Sequence, residues 1–182
     1  DYLEKLIRYQ RLLQQRNAWL KNEAIRPSGN NTELEYYNAC MSADADYIYK
    51  RRAAFLQDFH PMLSDIYQRL CGGNEPLEVF YTSDLQQKTL QEWLDQGLEY
   101  DLRYQRTLRG IHKDDWEFTL NGMSLKQFGS QGQKKSYLFA LKLAQYTWLS
   151  ATLKQLPILL LDDIFEKLDQ HRMEALLRII RS

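Results

Sequence analysis

Cysteine is nearly absent: Cys40 and Cys71 are the only thiols in 182 residues. They form no C-x-x-C pair and no ligand cluster surrounds them, which argues against a structural metal. Two thiols in so long a chain fit a reducing, cytosolic setting. An excess of charge is absent too, since Lys plus Arg and Asp plus Glu number 24 each. The total therefore sets up no standing pull on nucleic acid or membrane, and any DNA contact needs a local patch. Lys50-Arg51-Arg52 and Lys134-Lys135 are the compact basic clusters, and each also reads as a solvated helix face. No apolar run approaches the ~20 residues that span a bilayer. No signal-like start is present either. Asp1 stands in mid-helix pattern and Ser182 directly follows an apolar helix pattern, so both ends read as cut and a fragment is expected.

What remains is globular in composition, 44% hydrophobic and 26% charged, with length for one or two domains. Leu6, Leu13 and Leu20 fall seven apart, beside Leu3, Gln10, Asn17 and Ala24. That spacing predicts a first helix with a coiled-coil-like seam. Pro27-Ser28-Gly29-Asn30-Asn31 makes a turn. Thr32 with Glu35 predicts a capping box on a second helix, striped by Met41, Ile48, Phe55 and Met62. Pro61 is expected to kink or restart that helix. Two long helices joined by a short turn predict an antiparallel hairpin over residues 1–74.

From Leu77 the pattern alternates, and "LEVFYTS" reads as a strand. Residues 88–109 read as a third helix despite Gly97, and residues 75–110 as a connecting segment. "DWEFTLNGMSL" predicts two short strands around an Asn121-Gly122 type I′ turn. After a Gly/Gln-rich loop, residues 134–154 predict a helix with Leu138, Leu141, Ala144, Trp148 and Ala151 on one side. Pro157 is expected to open a central, parallel strand over residues 158–161. A last helix is expected over residues 170–181. The fold class is α/β with a large helical part.

The chemistry gathers late in the chain. "LLLDDIFEKLD" is an apolar run that stops at Asp162 and Asp163. In α/β sheets, ligands sit beyond the carboxyl ends of the strands. An acidic residue there suits Mg²⁺ on a nucleotide, and a second carboxylate can orient water. Two solvated aspartates after a buried strand are the plainer alternative. Upstream, Gly129-Ser130-Gln131-Gly132-Gln133 leads into a helix whose N-terminal N–H groups suit a phosphate. By itself such a loop is more often an ordinary helix cap.

Taken together these motifs resemble ABC-type ATPases: "GSQGQ" looks like their signature loop, "PILLLDD" like Walker B and "EKLD" like the D-loop. "GIHKDDWEF", then "LNG" and "FGSQGQ", resemble the RecF recombination-mediator family, as does the early "LQQRNAWLK". The resemblance implies an ABC-type ATPase head lobe, truncated and covering residues 111–182, carried beside the hairpin. It implies ATP and Mg²⁺ as cofactors, with Asp162 as the metal acid and Asp163 as the catalytic carboxylate. Asp163 is an aspartate where most ABC ATPases carry glutamate. Ser130, Gln131, Gly132 and Gln133 would contact ATP held by an opposite subunit, with Asp169 at the dimer interface. His112, Lys113, Asp114 and Asp115 match the family stretch without an assigned role, and a turn or cap role is open for Asp114 and Asp115.

The sequence contains no G-x-x-x-x-G-K-[ST], the loop that grips a nucleotide's phosphates. The expectation is the C-terminal portion of a RecF-like, ATP-dependent DNA replication and repair protein, inactive as an ATPase by itself. The full-length protein would be a weak DNA-dependent ATPase that forms an ATP-dependent homodimer. Its implied partners are DNA at gaps or single-strand/double-strand junctions, RecR and RecO. Its implied role is recombinase loading and the SOS response, in the bacterial cytoplasm at the nucleoid, with no membrane. Two alternatives stay open: another SMC-like head such as a nuclease-associated defence ATPase, or a helical scaffold with a degenerate ATPase lobe.

Overall fold

A computed structural model describes residues 1–27, 29–72, 75–153, 157–160 and 170–181. Helix α1 (Tyr2–Ile25) and the 40-residue α2 (Thr32–Cys71) come first. Their side-chain bonds pair Arg52 with Tyr2, Arg8 with Asp44, and Arg16 with Asn38. As one number rises the other falls, which is the signature of an antiparallel hairpin. The hairpin was legible in the sequence, but its contact face was not. Tyr9, Leu12, Arg16 and Leu20 are the buried residues of α1, while Leu3 is 61% exposed. The seven-residue seam is therefore replaced by a broader face that includes an arginine. A helix facing more than one neighbour buries a wider stripe than a two-stranded seam requires.

Helix α2 starts at Thr32, so the capping position falls on Asn31 and not on Thr32 as the expected Thr32–Glu35 box requires: Glu35 N donates to Asn31 O, and Asn30 Oδ1 accepts from Thr32 N. Contrary to expectation it runs through Pro61 as one element. Pro61 and Gln57, whose carbonyl loses its partner, are both exposed, so water can satisfy the orphaned acceptor. The expected third helix divides. Helices α3 (Leu90–Gln96) and α4 (Leu98–Tyr104) meet at Gly97, and α4 ends on Gln105 in the left-handed region at φ 54°. Thr89 and Glu92 form a reciprocal capping box on α3.

Strands β1 (Leu77–Thr82), β2 (Asp115–Leu120) and β3 (Met123–Ser124) lie in that order in one sheet. β2 and β3 are antiparallel, with Leu120 opposite Met123. Between them Asn121 and Gly122 both have positive φ, 50° and 74°, as a type I′ turn requires. α5 (Leu125–Phe128), α6 (Gln131–Thr152) and α7 (Gln170–Arg181) complete the described elements. The expected strand at 158–161 is not found: residues 157–160 carry no regular structure, and Leu161 lies outside the described residues. Ile158 and Leu160 are 87% and 83% exposed. A strand needs a ladder of backbone partners, and none of the described strands runs beside this segment.

The chain folds into two compact units. One comprises Asp1–Ala54 with Tyr81–Asp115, the other Phe55–Phe80 with Trp116–Ser182. The first packs Tyr9, Leu12, Met41, Ala45 and Ile48 of the hairpin with Leu90, Leu94 and Ile111. The second packs Leu63, Ile66, Tyr67 and Leu70 of α2 with Leu77 and Val79 of β1, Phe139 and Leu143 of α6, and Leu176 of α7. Its aromatic corner stacks Phe55 on Phe59 at 5.0 Å, with Trp148 edge-on to Phe55 at 5.1 Å. The buried residues of α6 are Ser136, Phe139, Ala140, Leu143 and Ala144. Of the predicted face, Ala144 is buried and Leu141 and Trp148 pack half-buried against the core, while Leu138 and Ala151 are exposed. Both faces of α6 are apolar in sequence, so periodicity alone does not choose between them. Among the described residues no helix is long and apolar enough to cross a membrane.

Candidate functional site

The loop before α6 is shaped by steric demand at Gly129. A Cβ there would come 2.5 Å from the Leu125 carbonyl oxygen, so only glycine lets the chain pass. The next residue, Ser130, is the N-cap of α6. Its Oγ accepts from Gln133 N at 3.1 Å, and Gln133 Oε1 accepts from Ser130 N at 2.8 Å. This reciprocal cap satisfies two backbone donors. The N–H groups of Gln131 and Gly132 have no intrahelical acceptor. The Ser130 hydroxyl, having accepted a bond, retains its own hydrogen to donate.

Cations outnumber acids around this terminus, with Glu75 beside Gln133 as the neighbouring carboxylate. The first turn of α6 holds no acid, and Lys134 and Lys135 follow directly. Arg172 of α7 brings Nη1 to 3.0 Å from where a Gly132 Cβ would stand, so Gly132 admits a guanidinium that alanine would crowd. Added to the positive end of the helix dipole, these groups make an anion-favouring corner. Lys134 Nζ donates to Lys126 O at 3.0 Å, tying the loop down.

Gln133 is more constrained than a free phosphate ligand would be. Its Nε2 donates to Glu75 Oε1 at 2.9 Å, and Glu75 Oε2 accepts from the Tyr67 hydroxyl at 3.2 Å. Burial, then the neighbouring Cys71 and Glu75, raise the Tyr67 phenol above its ordinary value, so it remains a donor. This relay joins the start of α6 to the last turns of α2. Nothing in the sequence points to Glu75, Tyr67 or Arg172, because Glu75 is 58 residues from Gln133 and no local spacing links them. Asp162, Asp163 and Asp169 lie outside the described residues. Among the described residues no group of three His, Cys, Asp or Glu side chains could hold a metal.

The stretch Gly110 to Asp115 sits elsewhere and is a structural joint. Gly110 has φ 128°, and a Cβ there would meet the Tyr9 hydroxyl at 2.6 Å. His112 Nε2 lies 3.2 Å from Thr107 O and Nδ1 lies 2.9 Å from Tyr9 Oη. A carbonyl can only accept, so Nε2 carries the proton and Nδ1 accepts from Tyr9. Burial lowers the pKa of His112 and favours this neutral form. Asp114 accepts from Arg52 Nη1 at 2.7 Å and from the Tyr81 hydroxyl. Arg52 also donates to Ile111 O at 2.9 Å. The Asp114 side chain makes an ion pair and not the turn or cap bond left open above: it is 3% exposed and paired with Arg52.

No family model matches the sequence. The helix-rich chain with its small sheet has the fold of a recombination mediator. It superposes on a solved structure of the recombination mediator protein RecF-ATP in the RecFOR pathway with TM-score 0.86 and 28% identity. A second, of RecF-ATPrS in that pathway, gives 0.85 and 27%. In both cases 98% of this chain covers 50% of the solved one. Among curated proteins it is 39% identical over 181 residues to the DNA replication and repair protein RecF of Flavobacterium johnsoniae. It is 41% identical over 180 residues to that of Azobacteroides pseudotrichonymphae. The chain belongs to the RecF family. It covers 50% and 49% of those two relatives, so it spans about half their length.

Proposed function

We propose that the chain is part of an ATP-dependent DNA replication and repair protein in which ATP is sandwiched between two subunits. Ser130, Gln131, Gly132 and Gln133 contribute the half-site that reads the γ-phosphate of a partner's nucleotide. The observation that carries this reading is the start of α6: a capped helix with a donor hydroxyl, no acid in its first turn, and Lys134, Lys135 and Arg172 close by. Asp162 holds Mg²⁺, since a carboxylate oxygen suits a hard dication. The ion's contribution when bound is charge neutralisation on the phosphates. Asp163 orients or deprotonates the attacking water, and Asp169 lies at the subunit interface. ATP-driven dimerisation brings two subunits' DNA-contacting surfaces together, and the dimer loads recombinase at single-strand gaps with RecR and RecO. The relatives that are DNA replication and repair proteins, and the solved recombination mediator of the RecFOR pathway, support this reading by kinship.

The test is Ser130→Arg in the full-length protein. Monomer ATP binding should stay within about twofold, while ATP-dependent dimers, followed by light scattering, should disappear. The new side chain fills the space of the γ-phosphate. Mixing this variant with a P-loop variant should restore part of the ATPase, because one composite site is then intact. Normal ATP-dependent dimers in Ser130→Arg would reduce the loop to a helix cap.

A further inference from the structure

Two of the three cations in Lys50-Arg51-Arg52 are paired within the chain. Lys50 pairs with Asp46 at 2.7 Å, and Arg52 is bound to Asp114, Ile111 O and Tyr2. A different surface of the same unit carries unspent groups. On α4, Asp101 points inward: its Oδ2 accepts from buried Arg16 at 2.7 Å and its Oδ1 from Leu108 N at 2.9 Å. Other side chains of α4 face solvent. Tyr100 and Tyr104, one helical turn apart, are 60% and 56% exposed, and Arg103 stands between them. Arg106 follows after Gln105, whose positive φ of 54° is uncommon for a residue with a side chain. Neither tyrosine has a ring partner and neither arginine has a carboxylate partner among the described residues. Glu99 is the exposed acid on α4, leaving the patch net positive.

We propose that Tyr100, Arg103, Tyr104 and Arg106 form a platform for single-stranded DNA, two rings on which bases stack and two guanidinium groups for the phosphates between them. Exposed rings next to free cations are the two elements of sequence-tolerant single-strand binding. A duplex keeps its bases stacked on one another, so it can use the arginines but not the rings. The anchoring of Asp101 by Arg16 and of Arg106 N by the Asp101 carbonyl at 3.1 Å holds the platform in place before the strand arrives. The Gln105 turn is what carries Arg106 beyond the end of the helix. The proposal deepens the DNA-binding part of the function proposed above and rests on it.

The experiment uses the full-length protein with ATP and fluorescence anisotropy at fixed salt. The probes are a labelled oligothymidylate of about 15 nucleotides and a duplex of matched length. Tyr100→Leu/Tyr104→Leu should weaken oligothymidylate binding about tenfold or more and leave duplex binding within about twofold. Arg103→Gln/Arg106→Gln should lower the salt slope for the single strand by about 1.4, as expected for two lost phosphate contacts. ATP-dependent dimerisation of both variants reports that the fold is intact. Unchanged oligothymidylate binding by the tyrosine variant, or equal losses on both probes, overturns the platform. Wild-type protein that binds duplex but no single strand overturns the platform alone. Wild-type protein that binds neither overturns the DNA-binding reading with it.

Discussion

At the scale of single residues, the costliest commitment in the chain is a buried arginine. Arg16 has no solvent exposure. Its Nε donates to Asn38 Oδ1 at 2.7 Å, and its Nη1 donates to Asp101 Oδ2 at 2.7 Å and Thr107 Oγ1 at 2.6 Å. Burial lowers its pKa, and the Asp101 charge and hydrogen bond oppose that shift. Such a pair is worth little against a well-packed apolar alternative, but removing one partner strands the other's charge. Arg16→Leu should therefore destabilise the chain by about 3–5 kcal/mol, read as a lower urea midpoint. Arg16→Leu/Asp101→Asn should recover part of the loss, because asparagine removes the stranded charge yet still accepts from Leu108 N. Equal midpoints for the single and double variants would show that the buried charge is not the cause. The sequence offered one hint of this: Arg16 stands four residues before Leu20 and four after Leu12, on an otherwise apolar stripe.

At the scale of elements, the start of α6 combines two jobs that substitution can separate. As a cap, Ser130 should lose about 1 kcal/mol on replacement by alanine. Ser130→Asp should retain the cap, since a carboxylate accepts from Gln133 N and favours the helix dipole. That same charge should repel a γ-phosphate and abolish ATP-dependent dimers of the full-length protein. Thermal denaturation run beside light scattering separates the two roles. Loss of stability without loss of dimers in Ser130→Ala, together with normal dimers in Ser130→Asp, would leave only the cap. Local chemistry made the capped helix, the Asn121-Gly122 turn and the alternating β1 legible in advance. The division of α3 from α4 at Gly97 was less so, because a lone glycine is tolerated within many helices.

At the scale of the whole molecule, the proposed chemistry depends on groups far apart in sequence. In the full-length protein, Asp163→Asn should leave ATP affinity nearly unchanged and slow hydrolysis about a hundredfold or more, the usual contribution of a positioned base. ATP-bound dimers should then accumulate, and single-turnover kinetics beside light scattering would show both effects. Wild-type turnover in that variant would make Asp163 a neighbour of Asp162 without a role of its own.

The sequence by itself determined the elements whose signals are local: the hairpin and its turn, the capped start of α6, the type I′ turn, and the motif order by which the family is recognised. Only the tertiary structure decided which face of each helix is inside. It also decided that Arg52 and Asp114 are spent on one another, and that Gln133 is held by Glu75. The physical reason is range. Caps and tight turns are closed by groups within four residues, so residue type and spacing specify them. Burial and charge pairing are closed by groups such as Arg16 and Asp101, 85 positions apart. No periodicity within one helix carries the identity of a partner on another.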